Sequence, residues 1–150
     1  MDTKFSTAIH LLILVSEADS PLSSEQIARS VGTNASYIRK VATRLSRAGI
    51  IESHRGVPGF SLIESPRDIA LLDVYRAVEE TEAVHVFDIH QNPSDACIVG
   101  RNIRPVLHGM FREAEQTVEG KLAGTTLADC IAQMRAHIDA QNPEQKGDLR

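Results

Sequence analysis

Cysteine is scarce in this chain of 150 residues: Cys97 and Cys130 are the only two. Two cysteines make no disulfide framework, which excludes a small extracellular scaffold stapled by such bonds. No stretch approaches the roughly 18 apolar residues that a membrane-spanning helix needs. The opening Met1-Asp2-Thr3-Lys4-Phe5-Ser6 lacks the basic region and the small-residue cleavage site of a secretory signal. There is no internal repeat. The expectation is a cytoplasmic protein with no membrane partner. An excess of positive charge is missing too. The net charge of −4, taken whole, argues against a nucleic-acid partner.

The total hides a gradient. Residues 1–68 carry eight Lys/Arg against seven Asp/Glu, whereas residues 69–150 carry eight against thirteen. Between Thr33 and Arg55 the cations are Arg39, Lys40, Arg44, Arg47 and Arg55, opposed by Glu52 alone. A local basic patch on an acidic chain suits phosphate contact, and it equally suits a solvated helix face.

What is present reads first as helix. Phe5, Ala8, Ile9, Leu12 and Val15 recur at three- and four-residue spacing over Thr3–Ala18, giving one apolar stripe. Pro21 breaks it. Ser23 and Gln26 then stand at capping-box spacing, with Leu22 and Ile27 placed as a hydrophobic staple,. Gly32 supplies the left-handed residue that ends this second helix. A third helix follows from about Asn34 to Ala48, ended by Gly49. Ile38, Val41, Ala42 and Leu45 face inward, and Ser36, Arg39, Lys40, Arg44 and Arg47 face outward. Two short helices joined by a tight glycine turn, the second cationic outside, make a helix-turn-helix. Such a pair also occurs in ordinary three-helix bundles.

The next segment favours the first reading. Ile50-Ile51-Glu52-Ser53 is strand-like, Arg55-Gly56-Val57-Pro58-Gly59 is a turn cluster, and Phe60-Ser61-Leu62 alternates again,. A hairpin directly after the third helix is a wing, with an arginine at its tip suited to a narrow minor groove. Ser65-Pro66-Arg67-Asp68 links to a short helix, Leu71–Val78, expected to pack under the wing. Thr81–Ala96 reads as a loop. A long helix follows from about Cys97 to Leu122, with Ile103, Leu107, Met110, Ala114, Val118 and Leu122 on one face. The last helix, about Leu127 to Ala140, bears Leu127, Ile131, Met134 and Ile138. The polar tail 141–150 is expected to be disordered. The long helix has more apolar surface than so small a chain covers, so a second copy is its expected partner. A two-fold dimer would present two third helices about one turn of DNA apart.

These residues, taken together, resemble the Rrf-2 family of bacterial winged helix-turn-helix regulators. The resemblance runs through Leu22-Ser23-Ser24-Glu25-Gln26-Ile27-Ala28, Ser36-Tyr37-Ile38-Arg39-Lys40-Val41, Leu45–Ile51, Arg55-Gly56, Gly59 and Leu71–Glu79. It covers roughly residues 3–123 and is most specific over 22–80. The implied fold is mainly α with a small β-hairpin wing. The implied domains are a DNA-binding winged helix-turn-helix at 1–68 and a dimerisation and sensory region at 69–140. The implied partners are double-stranded DNA and a second copy of the chain, and repression is the family expectation. Carried over position by position, Asn34, Ser36, Tyr37 and Arg39 start the recognition helix and touch bases and phosphates. Lys40 follows as a phosphate contact, Arg44 is counted with it among the DNA-binding residues, and Arg55 is the wing arginine. Arg39 has the geometry to read guanine, or simply to hold phosphate. The wing is one residue shorter than usual after its arginine, so His54 stands beside Arg55 as a second candidate.

Three other departures matter. Ala70 stands where the family has a capping Ser or Thr. Pro105 interrupts the dimer helix and should kink it or delay its start. Cluster-binding members bring three cysteines to the sensory loop, and this chain brings Cys97. A cluster asks for about four cysteine or equivalent ligands, so no iron–sulfur cofactor and no metal site are expected, even with His85, His90 and Asp88 nearby. Cys97 at a helix N-terminus reads as a thiol sensor or as a structural cysteine. Pairing it with His90 or His85 as a catalytic nucleophile and base lacks an orienting third group, so no enzyme is expected. The alternative to DNA binding is a winged-helix module that regulates a partner enzyme by protein contact.

Overall fold

The boundaries of the first helices have local chemical causes. The computed structural model describes residues 2–141. In it α1 spans Lys4–Glu17, α2 Ser24–Val31 and α3 Ala35–Arg47. The Ser23 hydroxyl accepts the Gln26 amide at 3.2 Å while Gln26 Oε1 accepts the Ser23 amide at 2.8 Å. The expected capping box is complete. Gly32 ends α2 at φ 86°, a backbone region that side chains with a Cβ rarely adopt. Asn34 Oδ1 then accepts the Tyr37 amide at 2.8 Å and opens α3.

The wing is β1 Ile51–His54 antiparallel to β2 Val57–Leu62. The turn is tighter than the five-residue cluster expected: His54 pairs with Val57, leaving Arg55 and Gly56 as the connection. The slack appears further along. Ile51 pairs Leu62 and Glu52 pairs Ser61, so the register slips before His54. One residue, Ser53, therefore faces three, Pro58–Phe60. Pro58 has no amide hydrogen to give a ladder. At Gly59 an added Cβ would lie 2.5 Å from Pro21 Cβ, and its φ is 99°. The bulge thus lets the wing seat on the α1–α2 connection.

After a single 3-10 turn, Pro66–Asp68, come α4 Leu71–Glu79, α5 Ile98–Ala123 and α6 Leu127–Gln141. One cluster of buried side chains joins Leu11 and Leu12 of α1, Ile27 of α2, and Ile38, Val41 and Leu45 of α3. It continues through Val74 and Val78 of α4 and Leu127 and Ile131 of α6. The short helix α4 does not lie under the wing: it packs on α1 and α3, and it is β2 that packs on α1. Its buried Leu71, Leu72, Val74 and Val78 complete the core there. Ala70 gives no side-chain cap. Instead Thr125 O accepts the Leu71 amide at 2.9 Å, and Ile69 O accepts the Leu127 amide at 2.9 Å. A short bridge between the starts of α4 and α6 takes the place of the cap.

The Thr81–Ala96 segment has no helix or strand, and α5 continues through Pro105 from Ile98, so the later start does not occur. Gln141, expected to open the tail, closes α6 instead, and the rest of the expected tail, 142–150, lies outside the described residues. Among the described residues no helix is long and apolar enough to cross a membrane.

Candidate nucleic-acid interface

The exposed side of α3 and the wing form one surface. Ile38, Val41, Ala42 and Leu45 turn α3 inward, which leaves Ser36, Arg39, Lys40, Thr43, Ser46 and Arg47 exposed at helical spacing,. A groove between this row and the hairpin is lined by Ser24, Arg39, Thr43, Ser46, Arg47, Ser53 and Phe60. The hydroxyls of Ser24, Ser46 and Ser53 were not singled out from sequence, although 36, 39, 43 and 46 follow the helical period that would have found Ser46. Hydroxyls are ordinary phosphate donors.

The individual side chains are placed as follows. Asn34 is exposed, with its carbonyl oxygen committed to the α3 cap. Tyr37 is half-buried against the core. Arg39 lies 3.5 Å from Glu25 of α2, both more than half exposed, and such a surface pair is weak enough for a phosphate to replace. Lys40 and Arg55 are exposed and make no ion pair with any described residue. His54 turns across the hairpin, its Nε2 3.4 Å from Ser61 Oγ and 3.6 Å from Glu52. Arg55 is left alone at the tip.

Arg44 is the correction. It does not join the outward row: its side chain is mostly buried, and Nη1 donates to Val78 O at 2.5 Å. Its Nε lies 3.2 Å from Glu80. Position 44 adjoins buried Val41 and Leu45, so the long side chain runs along the domain edge. There it meets the unsatisfied carbonyls and negative dipole end of α4.

Cys97 is exposed and precedes α5 as its N-cap residue. The nearby backbone amides of Gly100 and then Val99, at the start of α5, lower its thiol pKa. Cys130 is half-buried in α6, and burial raises its thiol pKa. Among the described residues no three His, Cys, Asp or Glu come together as metal ligands.

A family model described as "Rrf2: Iron-dependent Transcriptional regulator" matches residues 1–133. The chain belongs to the Rrf2 family. It is a winged helix-turn-helix transcriptional regulator. It is 41% identical over 131 residues to the Bacillus subtilis protein named "Putative HTH-type transcriptional regulator YwnA", covering 87% of this chain and 96% of YwnA. A solved structure described as "Crystal structure of a putative DNA binding protein" superposes with a TM-score of 0.70 at 39% identity, covering 85% of this chain and 98% of that one. CymR of B. subtilis, at 22% identity and TM-score 0.65, shares the fold over 88% of this chain and 95% of its own. Iron enters only through the family's description. Cys97 stands just before α5 and Cys130 lies inside α6.

Proposed function

We propose that this Rrf2 regulator works in the cytoplasm as a homodimer that represses transcription by binding a pseudo-palindromic DNA site, and not as an enzyme. The observation that carries the reading is the exposed row Ser36, Arg39 and Lys40 beside the free wing tip Arg55. Asn34 and Tyr37 open that row, and His54 flanks it. The α3 N-terminus enters a major groove, and Arg55 reaches the neighbouring minor groove.

Support for a dimer comes from α5. Its one buried residue is Glu115, whereas Ile98, Val99, Val106 and Met110 are all more than half exposed. A second α5 would cover this apolar surface.

The regulation we propose needs no cluster. The lowered thiol of Cys97 is oxidised by a peroxide: the thiolate attacks one oxygen, the O–O bond breaks, and sulfenic acid and hydroxide form. Two electrons pass from sulfur to the peroxide. Titration of purified protein against its own promoter DNA, across a salt series and in both redox states, tests the whole reading. One dimer per site and a steep salt dependence are expected. Oxidant sensitivity should disappear in Cys97→Ser. Absence of binding at every salt concentration would overturn the DNA reading and leave regulation by protein contact.

A further inference from the structure

Glu115 is the one buried group on α5, 6% exposed, and neither DNA contact nor dimer packing requires a carboxylate there. It faces the segment that follows α4. Its Oε1 accepts the Val86 amide at 2.9 Å and the Phe87 amide at 3.3 Å. One turn further along, Glu119 Oε1 accepts the Val84 amide at 2.8 Å. Arg112 closes the cluster, 3.0 Å from Glu119 and 3.7 Å from Glu115. Tyr75 hydroxyl accepts the His85 amide at 3.1 Å. Four successive amides, 84 to 87, are therefore taken by side chains, and Val84 is buried.

The other end of the same segment is Glu80. Among the described residues it is the one non-glycine with positive φ, at 53°, a backbone state that strains a residue with a Cβ. Its carboxylate holds two cations of α3: Arg44 Nε at 3.2 Å and Arg47 Nη1 at 3.7 Å. Arg44 also binds the last turn of α4 through Val78 O. A short stretch of backbone is thus fastened to the recognition helix at one end and to the dimer helix at the other.

We propose that residues 78–87 form a coupling strut, in which Arg44 and Glu80 position the recognition helix while Glu115 and Glu119 fix the strut to α5. A displacement of this segment on α5 then changes how Ser36, Arg39 and Lys40 meet DNA. Arg44 acts as a positioning residue, without touching phosphate. The inference rests on the reading that α3 faces DNA, and its test separates the two.

The test uses the full-length dimer and a duplex selected by it from a random-sequence pool. Affinity is measured by fluorescence anisotropy across a salt series, together with the thermal midpoint of each variant. Lys40→Ala is the control for the interface and should reduce the salt slope by about one. An unchanged slope there takes α3 off the DNA and removes the proposal with it. Glu80→Gly relieves the positive φ, so its midpoint should stay level or rise. Its affinity should nevertheless fall by about threefold to thirtyfold, with the slope intact. Arg44→Ala should do the same to affinity and slope. Glu115→Gln should weaken DNA binding too, and by less when Glu80→Gly is already present. Parental affinity in Glu80→Gly, a salt slope reduced by about one in Arg44→Ala, or fully multiplicative losses in the double variant would each overturn the strut.

Discussion

The α1–α3 region and the long helix α5 are both helical, yet different interactions hold them. In α1–α3 each helix sends an apolar face into a shared cluster, and Leu11, Leu12, Ile27, Ile38 and Leu45 are fully buried. In α5, with 26 residues, the buried position is a glutamate. The loop is fastened to it by carboxylate-to-amide hydrogen bonds. Burying an aliphatic side chain contributes roughly 1.5–3 kcal/mol, whereas a typical hydrogen bond contributes a net ~1 kcal/mol. One region therefore supplies its own stability, and the other leaves apolar side chains exposed and holds its loop by polar contacts.

Four measurements break or sharpen this contrast. Leu45→Ala empties a fully buried site in the core of the first region and should cost about 2–5 kcal/mol in denaturant unfolding. Val106→Asp with Met110→Asp attacks the second region, where both positions are more than half exposed. It should weaken the dimer by about tenfold or more in sedimentation equilibrium. A lighter species in the parent protein, or no change in the variant, would break the contrast from that side. Ser23→Ala removes the α2 cap and should lower stability by about 1 kcal/mol.

The smallest effect belongs to His85. The hydrogen bond that His85 donates to Asp88, and then the charges of Asp88 and Glu115, raise its pKa above the ordinary 6.5. A raised pKa means that protonated His85 favours the folded state below about pH 6.5, and that this stability is lost as pH rises through the folded value. The ring is largely exposed, so about a few tenths of a kcal/mol is expected. His85→Gln should therefore destabilise more at pH 5.5 than at pH 8. Equal destabilisation at both would separate His85 from the loop's attachment.

What the sequence disclosed follows the reach of the interactions. The Ser23–Gln26 box, the Gly32 stop and the Asn34 start act within a few residues, and each was legible as written. The hairpin was legible as a wing, but the position of its turn was not. Pro58 and Gly59 look like turn residues, and here they form a bulge because Gly59 must approach Pro21. Arg44 was grouped with the outward cations because its spacing nearly fits theirs. Its partner carbonyl at Val78 is 34 residues away, and no helical period predicts that. Nothing in the spacing of Glu115 and Glu119 indicates that the amides of Val84, Val86 and Phe87 lie against them.

The slipped register at Pro58 and Gly59 also bears on how the protein behaves at high concentration. A two-stranded sheet consists entirely of edges, and each edge offers unpaired backbone groups to any other extended chain. Val57 and Ile63, about half exposed beside this hairpin, would make such recruitment adhesive. A missing amide hydrogen and a kinked strand deny an incoming chain a straight template. The wing can thus stay exposed without offering a straight edge to an incoming chain.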